Sequence, residues 1–107
     1  MAKFRKVDPI MIDHIVLVKF GESTSREQLE EVVTRFKALQ GKLPGIADIQ
    51  AGISFTGKHQ GYQLALTVRF ENRAALENYG PHPLHQEVAA YIREIGRVDS
   101  IVVDIEI

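Results

Sequence analysis

A chain of 107 residues with 45% hydrophobic and 25% charged side chains has the size and balance of one globular domain and no room for a second. Lys plus Arg is 13 against 14 for Asp plus Glu, so no field of one sign draws the chain to nucleic acid or to an anionic membrane surface. The lack of cysteine excludes disulfides and thiolate zinc sites, Ile15 to Val18 is too short an apolar run to span a membrane, and Met1 to Met11 has no apolar secretion signal, so a cytoplasmic protein is expected.

Residues 1–10, with Lys3, Arg5 and Lys6 ahead of Pro9, read as a solvated basic arm before a domain over residues 11–107. Ile12 to Phe20 is β-branched and alternating, and predicts a strand with an apolar middle on both faces: His14, Val16 and Val18 on one, Ile15 and Leu17 on the other. Ser25-Arg26-Glu27-Gln28 has the pattern of a capping box, which starts a helix whose buried stripe is Leu29, Val32, Val33, Phe36 and Leu39. Gly41 and Pro44-Gly45 supply the stop and the turn.

Ile46 to Phe55 and Tyr62 to Phe70 predict an antiparallel pair across a glycine-rich loop, with Gly52 a candidate bulge and Leu64, Leu66, Val68 and Phe70 a continuous apolar face. Asn72 caps a short helical segment, Arg73 to Tyr79, which Gly80-Pro81 interrupts because proline lacks the amide and disfavours helix in the residue before it. A second segment starts at Pro83, with Leu84, Val88, Tyr91, Ile92 and Ile95 as its stripe, and Ile101 to Ile107 is the last strand. The order predicts a ferredoxin-like βαββαβ α+β sandwich. Two helices cover one sheet face only, so the face with Ile15 and Leu17 predicts a homodimer through the sheet.

The stretch Asn78 to Gln86 holds the chemistry-bearing residues, with Tyr79, His82 and His85 around a rigid proline break. His85 precedes Val88, Ala89 and Ile92 by three, four and seven positions, which sets its ring on or beside the buried stripe, facing the same space as His14 if that face of the first strand lies beneath the helices. A neutral imidazole takes or gives a proton near neutral pH and a tyrosine hydroxyl holds a carbonyl or a developing enolate. That combination suits proton transfer next to a carbonyl, with His85 as general base, Tyr79 as its partner and His14 in support. The expected pocket walls are Val16, Val18, Val32, Val33, Phe36, Leu64, Leu66 and Val88. Each polar residue has a plainer role as well: His82 ties the proline turn, His85 and His14 hydrogen-bond within the core, and Tyr79 packs its ring. A metal at His82 and His85 is disfavoured by the proline turn, and neither a nucleophile elbow nor a phosphate-binding glycine spacing occurs. No cofactor or metal is expected.

His14-Ile15-Val16-Leu17-Val18-Lys19-Phe20, Pro44-Gly45-Ile46, Gly61-Tyr62 and His82-Pro83-Leu84-His85, in this order from about residue 11 to 107, resemble the stress-responsive dimeric α/β-barrel domain family. The resemblance implies a ferredoxin-like subunit, a homodimer whose sheets close a barrel, and a pocket between sheet and helices. Its members include stress-associated proteins and a plant polyketide cyclase that performs an aldol condensation with a tyrosine and the second histidine of an H-P-x-H motif. Those two fall on Tyr79 and His85, and the family's strand-one histidine on His14. Two departures make the expected pocket more apolar: Leu64 stands where a histidine is common and Phe36 where the cyclase has a tyrosine. The resulting expectation is a homodimer that binds a small apolar ligand and acts as a cofactor-free cyclase or lyase. The competing expectations are a stress-associated dimer without activity and a cofactor-independent monooxygenase.

Overall fold

The computed structural model describes residues 10–107; the basic arm expected over 1–10 lies, apart from Ile10, outside the described residues. Strand β1 is Ile12–Phe20, helix α1 Arg26–Lys37, β2 Ile46–Ile53, β3 Leu64–Phe70, α2 Arg73–Tyr79, α3 Pro83–Glu94 and β4 Arg97–Glu106. The expected capping box starts α1: the Gln28 amide donates to Ser25 Oγ at 3.2 Å and the Ser25 amide donates back to Gln28 Oε1 at 2.9 Å. Two of the amides that a helix start leaves unsatisfied are thereby paired. The outer face of α1 carries Arg26–Glu30 and Arg35–Glu31 pairs one turn apart, and the Arg35 guanidinium also lies 3.8 Å from the Tyr91 ring of α3. A cation over an aromatic face thus joins the two long helices at the surface.

The four strands form one antiparallel sheet in the order β2-β3-β1-β4. Ile12, Val18 and Phe20 of β1, Ile49 of β2 and Leu64, Leu66, Val68 and Phe70 of β3 are all buried on one face, beneath the helices. Leu29, Val32, Phe36, Val88 and Ile92 meet them from above. Gly45 permits this approach. Its φ is +79°, and a Cβ there would lie 2.4 Å from the Cβ of Ala75 on α2. The result is a ferredoxin-like α+β sandwich of two layers.

Several expectations are corrected. The sheet is open and does not close into a barrel, because β2 and β4 are its outer strands, held apart by β3 and β1, and each keeps a free edge. The described residues form three helices rather than two, since Pro81 and Pro83 withhold the amides that would join α2 to α3. The break in strand register lies between Ile46 and Asp48, whereas Gly52 pairs regularly with Ala65. β4 begins four positions before Ile101, with Arg97 and Asp99 opposite Phe20 and Lys19, because an edge strand accommodates polar residues. β3 starts at Leu64 rather than Tyr62, and the Gln63 side chain continues the pairing instead: the Phe20 amide donates to Gln63 Oε1 at 3.0 Å.

Among the described residues no helix lies on the other face. Register across the sheet groups Ile15 and Leu17 with Ala65, Thr67, Ile101, Val103 and Ile105 on this side. Ile101, Val103 and Ile105 are 41%, 47% and 43% exposed. Polar clusters stand at the two ends of this apolar strip. At one, Arg69 donates to both carboxylate oxygens of Asp13, at 2.8 and 3.0 Å. At the other, the Tyr62 hydroxyl donates to Asp99 while the Lys19 ammonium sits 4.7 Å from the Tyr62 ring.

Candidate functional site

Between the covered face of the sheet and helices α2 and α3 lies a cavity of about 380 Å³, within the range of small-molecule sites. Strand alternation turns His14, Val16 and Val18 of β1 into it, and α3 contributes His85, Val88 and Ile92 at helical spacing. Tyr79, at the end of α2, is 4% exposed and also lines it.

The proline break sets the orientation of His85. Gly80 ends α2, and its carbonyl lacks a helical partner because Pro83 has no amide and the Leu84 amide donates to His82 Nδ1, at 3.1 Å. His85 Nδ1 and the Gln86 side-chain amide donate to that carbonyl instead, at 2.9 and 2.7 Å. His82 is accordingly the N-cap of α3. With Nδ1 holding the proton, Nε2 is the basic nitrogen of His85. Burial holds the His85 pKa below its ordinary value, with His14 and His82 acting in the same direction and the Gly80 hydrogen bond opposing them. The ring is therefore neutral at neutral pH.

The Tyr79 and His85 ring centroids are 4.2 Å apart, Tyr79 and His14 5.8 Å, and Tyr79 and Phe70 5.1 Å. Burial pushes the Tyr79 hydroxyl far above its ordinary pKa, so it stays a protonated donor. Among the described residues this hydroxyl has no hydrogen-bond partner. An acceptor bound in the cavity would supply that partner. His14 Nδ1 donates to Asp104 Oδ1 at 2.5 Å, and this pins the ring against Tyr79.

The profile of the stress responsive A/B barrel domain matches residues 12–107. The chain belongs to that family. It is similar to the stress-response A/B barrel domain-containing protein HS1 of Arabidopsis thaliana, 28% identical over 94 residues that cover 86% of this chain and 84% of that protein. It is also similar to olivetolic acid cyclase of Cannabis sativa, 28% identical over 76 residues covering 69% of this chain and 75% of the cyclase. Among solved structures, a dimeric ferredoxin-like protein of unknown function from Bacteroides fragilis superposes with a TM-score of 0.76 at 28% identity, over 91% of this chain and 96% of that one.

Of the residues expected in this family member's site, the structure brings together His14, Tyr79, His85, Val16, Val18, Phe36, Leu66 and Val88 around one cavity. Val32 and Leu64 lie in the core at 0% exposure, and Val33 packs against that core; none of the three reaches the cavity wall. Their stripe positions mark them as buried without separating core from cavity. Sequence reasoning missed Asp104, together with Arg93, Arg97, Gln86 and Ser100 of the cavity lining. Asp104 stands opposite His14 in the β1–β4 register, which the alternation of β4 alone does not reveal. No group of three or more His, Asp or Glu side chains among the described residues is arranged to hold a metal ion.

Proposed function

We propose that this cavity binds a small, largely apolar carbonyl compound and that His85 and Tyr79 carry out proton transfer on it without a cofactor, as in a cyclase or lyase step. One observation carries the reading: the hydroxyl of buried Tyr79, without a partner among the described residues, stands beside a neutral imidazole, with Nδ1 tethered, on the wall of a 380 Å³ cavity. In this reaction His85 Nε2 takes the proton α to the carbonyl. The C–H electron pair moves into the enolate, and Tyr79 donates to the developing oxyanion. In a cyclase step the enolate carbon then attacks a second carbonyl of the same molecule, and the imidazolium returns its proton to the alkoxide so formed. In a lyase step the enolate pair expels a β-leaving group, which takes that proton. His14, held by Asp104, fixes the Tyr79 ring.

The test is exchange of the α-protons of acetophenone and propiophenone in deuterated water, followed by NMR. Wild-type protein accelerates exchange, His85→Ala loses about a hundredfold or more of that acceleration, and Tyr79→Phe loses about tenfold. Equal exchange in all three proteins overturns the reading. If His85→Ala lowers thermal stability and leaves exchange unchanged, the hydrogen bond to Gly80 is the residue's whole role, and the protein is a stress-associated dimer without this chemistry.

The open sheet face supports a homodimer. Two copies that face each other through Ile15, Leu17, Ile101, Val103 and Ile105 bury an apolar strip that a lone chain leaves to water. The B. fragilis protein is described as dimeric. Light scattering at low micromolar concentration gives twice the chain mass if this holds, and the single-chain mass if it does not.

A further inference from the structure

We propose that the ligand enters this cavity as an anion, with a carboxylate gripped at the rim by Arg93 and Arg97 and its apolar body inside. The assignment rests on the reading of the cavity as a ligand site and names the class of ligand. Six arginines lie among the described residues. Arg26, Arg35, Arg69 and Arg73 each pair with a carboxylate, on Glu30, Glu31, Asp13 and Glu106. Arg93 and Arg97 have no carboxylate within ion-pair distance among these residues, and both line the same cavity. The two arginines without a carboxylate partner among the described residues thus stand on one cavity.

The lining adds to the case. It holds Arg93, Arg97, His14 and His85 and no Asp or Glu. Arg97 acts on Asp99 from beyond ion-pair distance, and that carboxylate is already occupied by the Tyr62 hydroxyl. Gln86 and Ser100 supply neutral polar groups on the lining, while Val16, Val88 and Ile92 give it an apolar wall. The site suits an amphipathic molecule, charged at one end.

The backbone that carries the two arginines is fixed. α3 passes into β4 through Ile95 and Gly96; Gly96 has φ +120°, and a Cβ there would lie 2.6 Å from Thr24 Oγ1. The Thr24 hydroxyl donates to the Ile95 carbonyl at 2.5 Å and the Gly21 amide to the Gly96 carbonyl at 3.0 Å. The two arginines are four positions apart and both line the cavity, and a guanidinium's fork of donors suits a carboxylate. The plainer account gives Arg93 the task of complementing the dipole at the end of α3. It does not explain Arg97.

The experiment measures binding of hexanoate, octanoate and hydrocinnamate, each against its methyl ester, by calorimetry on wild type, Arg93→Gln/Arg97→Gln and Tyr79→Phe. At least one acid binds wild type about tenfold or more tightly than its ester, and this preference disappears in the double arginine variant while the ester's affinity stays the same. Added salt weakens the acid alone. Equal affinity for acid and ester, or a preference that survives in the double variant, overturns the anion assignment and leaves the cavity reading standing. If no acid or ester binds, both readings fall. Because both arginines are exposed, unchanged thermal unfolding of the ligand-free double variant separates loss of binding from loss of fold.

Discussion

Alternate residues of the same strands build two unlike surfaces. On β1, Ile12, Val18 and Phe20 are buried beneath the helices, while Ile15 and Leu17 look out onto a face where no helix lies. On the covered side Ile49 of β2 and alternate residues of β3 are buried in the core, and a cavity lies beside β1 and β4 beneath α2 and α3. On the open side the apolar strip is continuous and ends in charged clusters at Asp13–Arg69 and at Lys19, Tyr62 and Asp99. A strand that is apolar on both faces therefore has two obligations, and a single chain meets only one of them. The covered face holds the monomer together, and the open face leaves an apolar strip exposed.

The largest expected effect tests the covered face. Phe70 is 0% exposed and packs against Tyr79 and His14, so Phe70→Ala removes core area and takes away a wall of the ring cluster. It should cost about 3–5 kcal/mol in urea unfolding. A loss under about 1 kcal/mol would mean that this face is not the one that stabilises the fold.

Val103→Asp tests the open face. The residue is half-exposed in the single chain and pairs with Ile15, so a carboxylate there is hydrated in a monomer and stranded in a sheet-to-sheet dimer. Association should weaken by about 3 kcal/mol or more, seen by light scattering across a dilution series. The secondary structure of the separated chain should be retained. A variant that unfolds outright would assign both faces to the monomer core and erase the contrast.

Much of this contrast was legible beforehand. The alternation of Ile12 to Phe20 marked both faces, the spacing in Ser25 to Gln28 marked a cap, and Asn72 and His82 stood before helices that they do cap. These signals are local, and each is written within one turn or one strand. Barrel closure, the partner of His14 and the start of β4 depend on which strands neighbour one another and in what register, which a period along one strand does not contain. The cavity wall was legible only in part for a related reason. Helical periodicity places Val32 and Val88 alike in the buried core, and only the arrangement of the layers shows that Val88 also borders the cavity while Val32 does not. Arg93 and Arg97 were passed over because exposed arginines are ordinary, and their lack of partners becomes informative only when the other ion pairs are known.

The smallest expected effect sharpens the comparison within the covered face itself, between its dry core and its cavity. Burial lowers the His85 pKa from the ordinary value of 6.5. In the unfolded chain this histidine takes up a proton as pH falls through 6.5, while in the folded chain it stays neutral until a lower pH. Acid in that window therefore favours the unfolded state, and the contribution of His85 is complete above 6.5 and is lost as pH falls toward the folded pKa. His85→Gln removes this dependence while its side-chain amide can still donate to the Gly80 carbonyl. The slope of urea midpoint against pH below 6.5 should be shallower in the variant than in wild type, with the two curves parallel above it. Identical slopes would mean that the imidazole is as well hydrated in the cavity as in the unfolded chain, and the partly desolvated base required for proton transfer would then be missing.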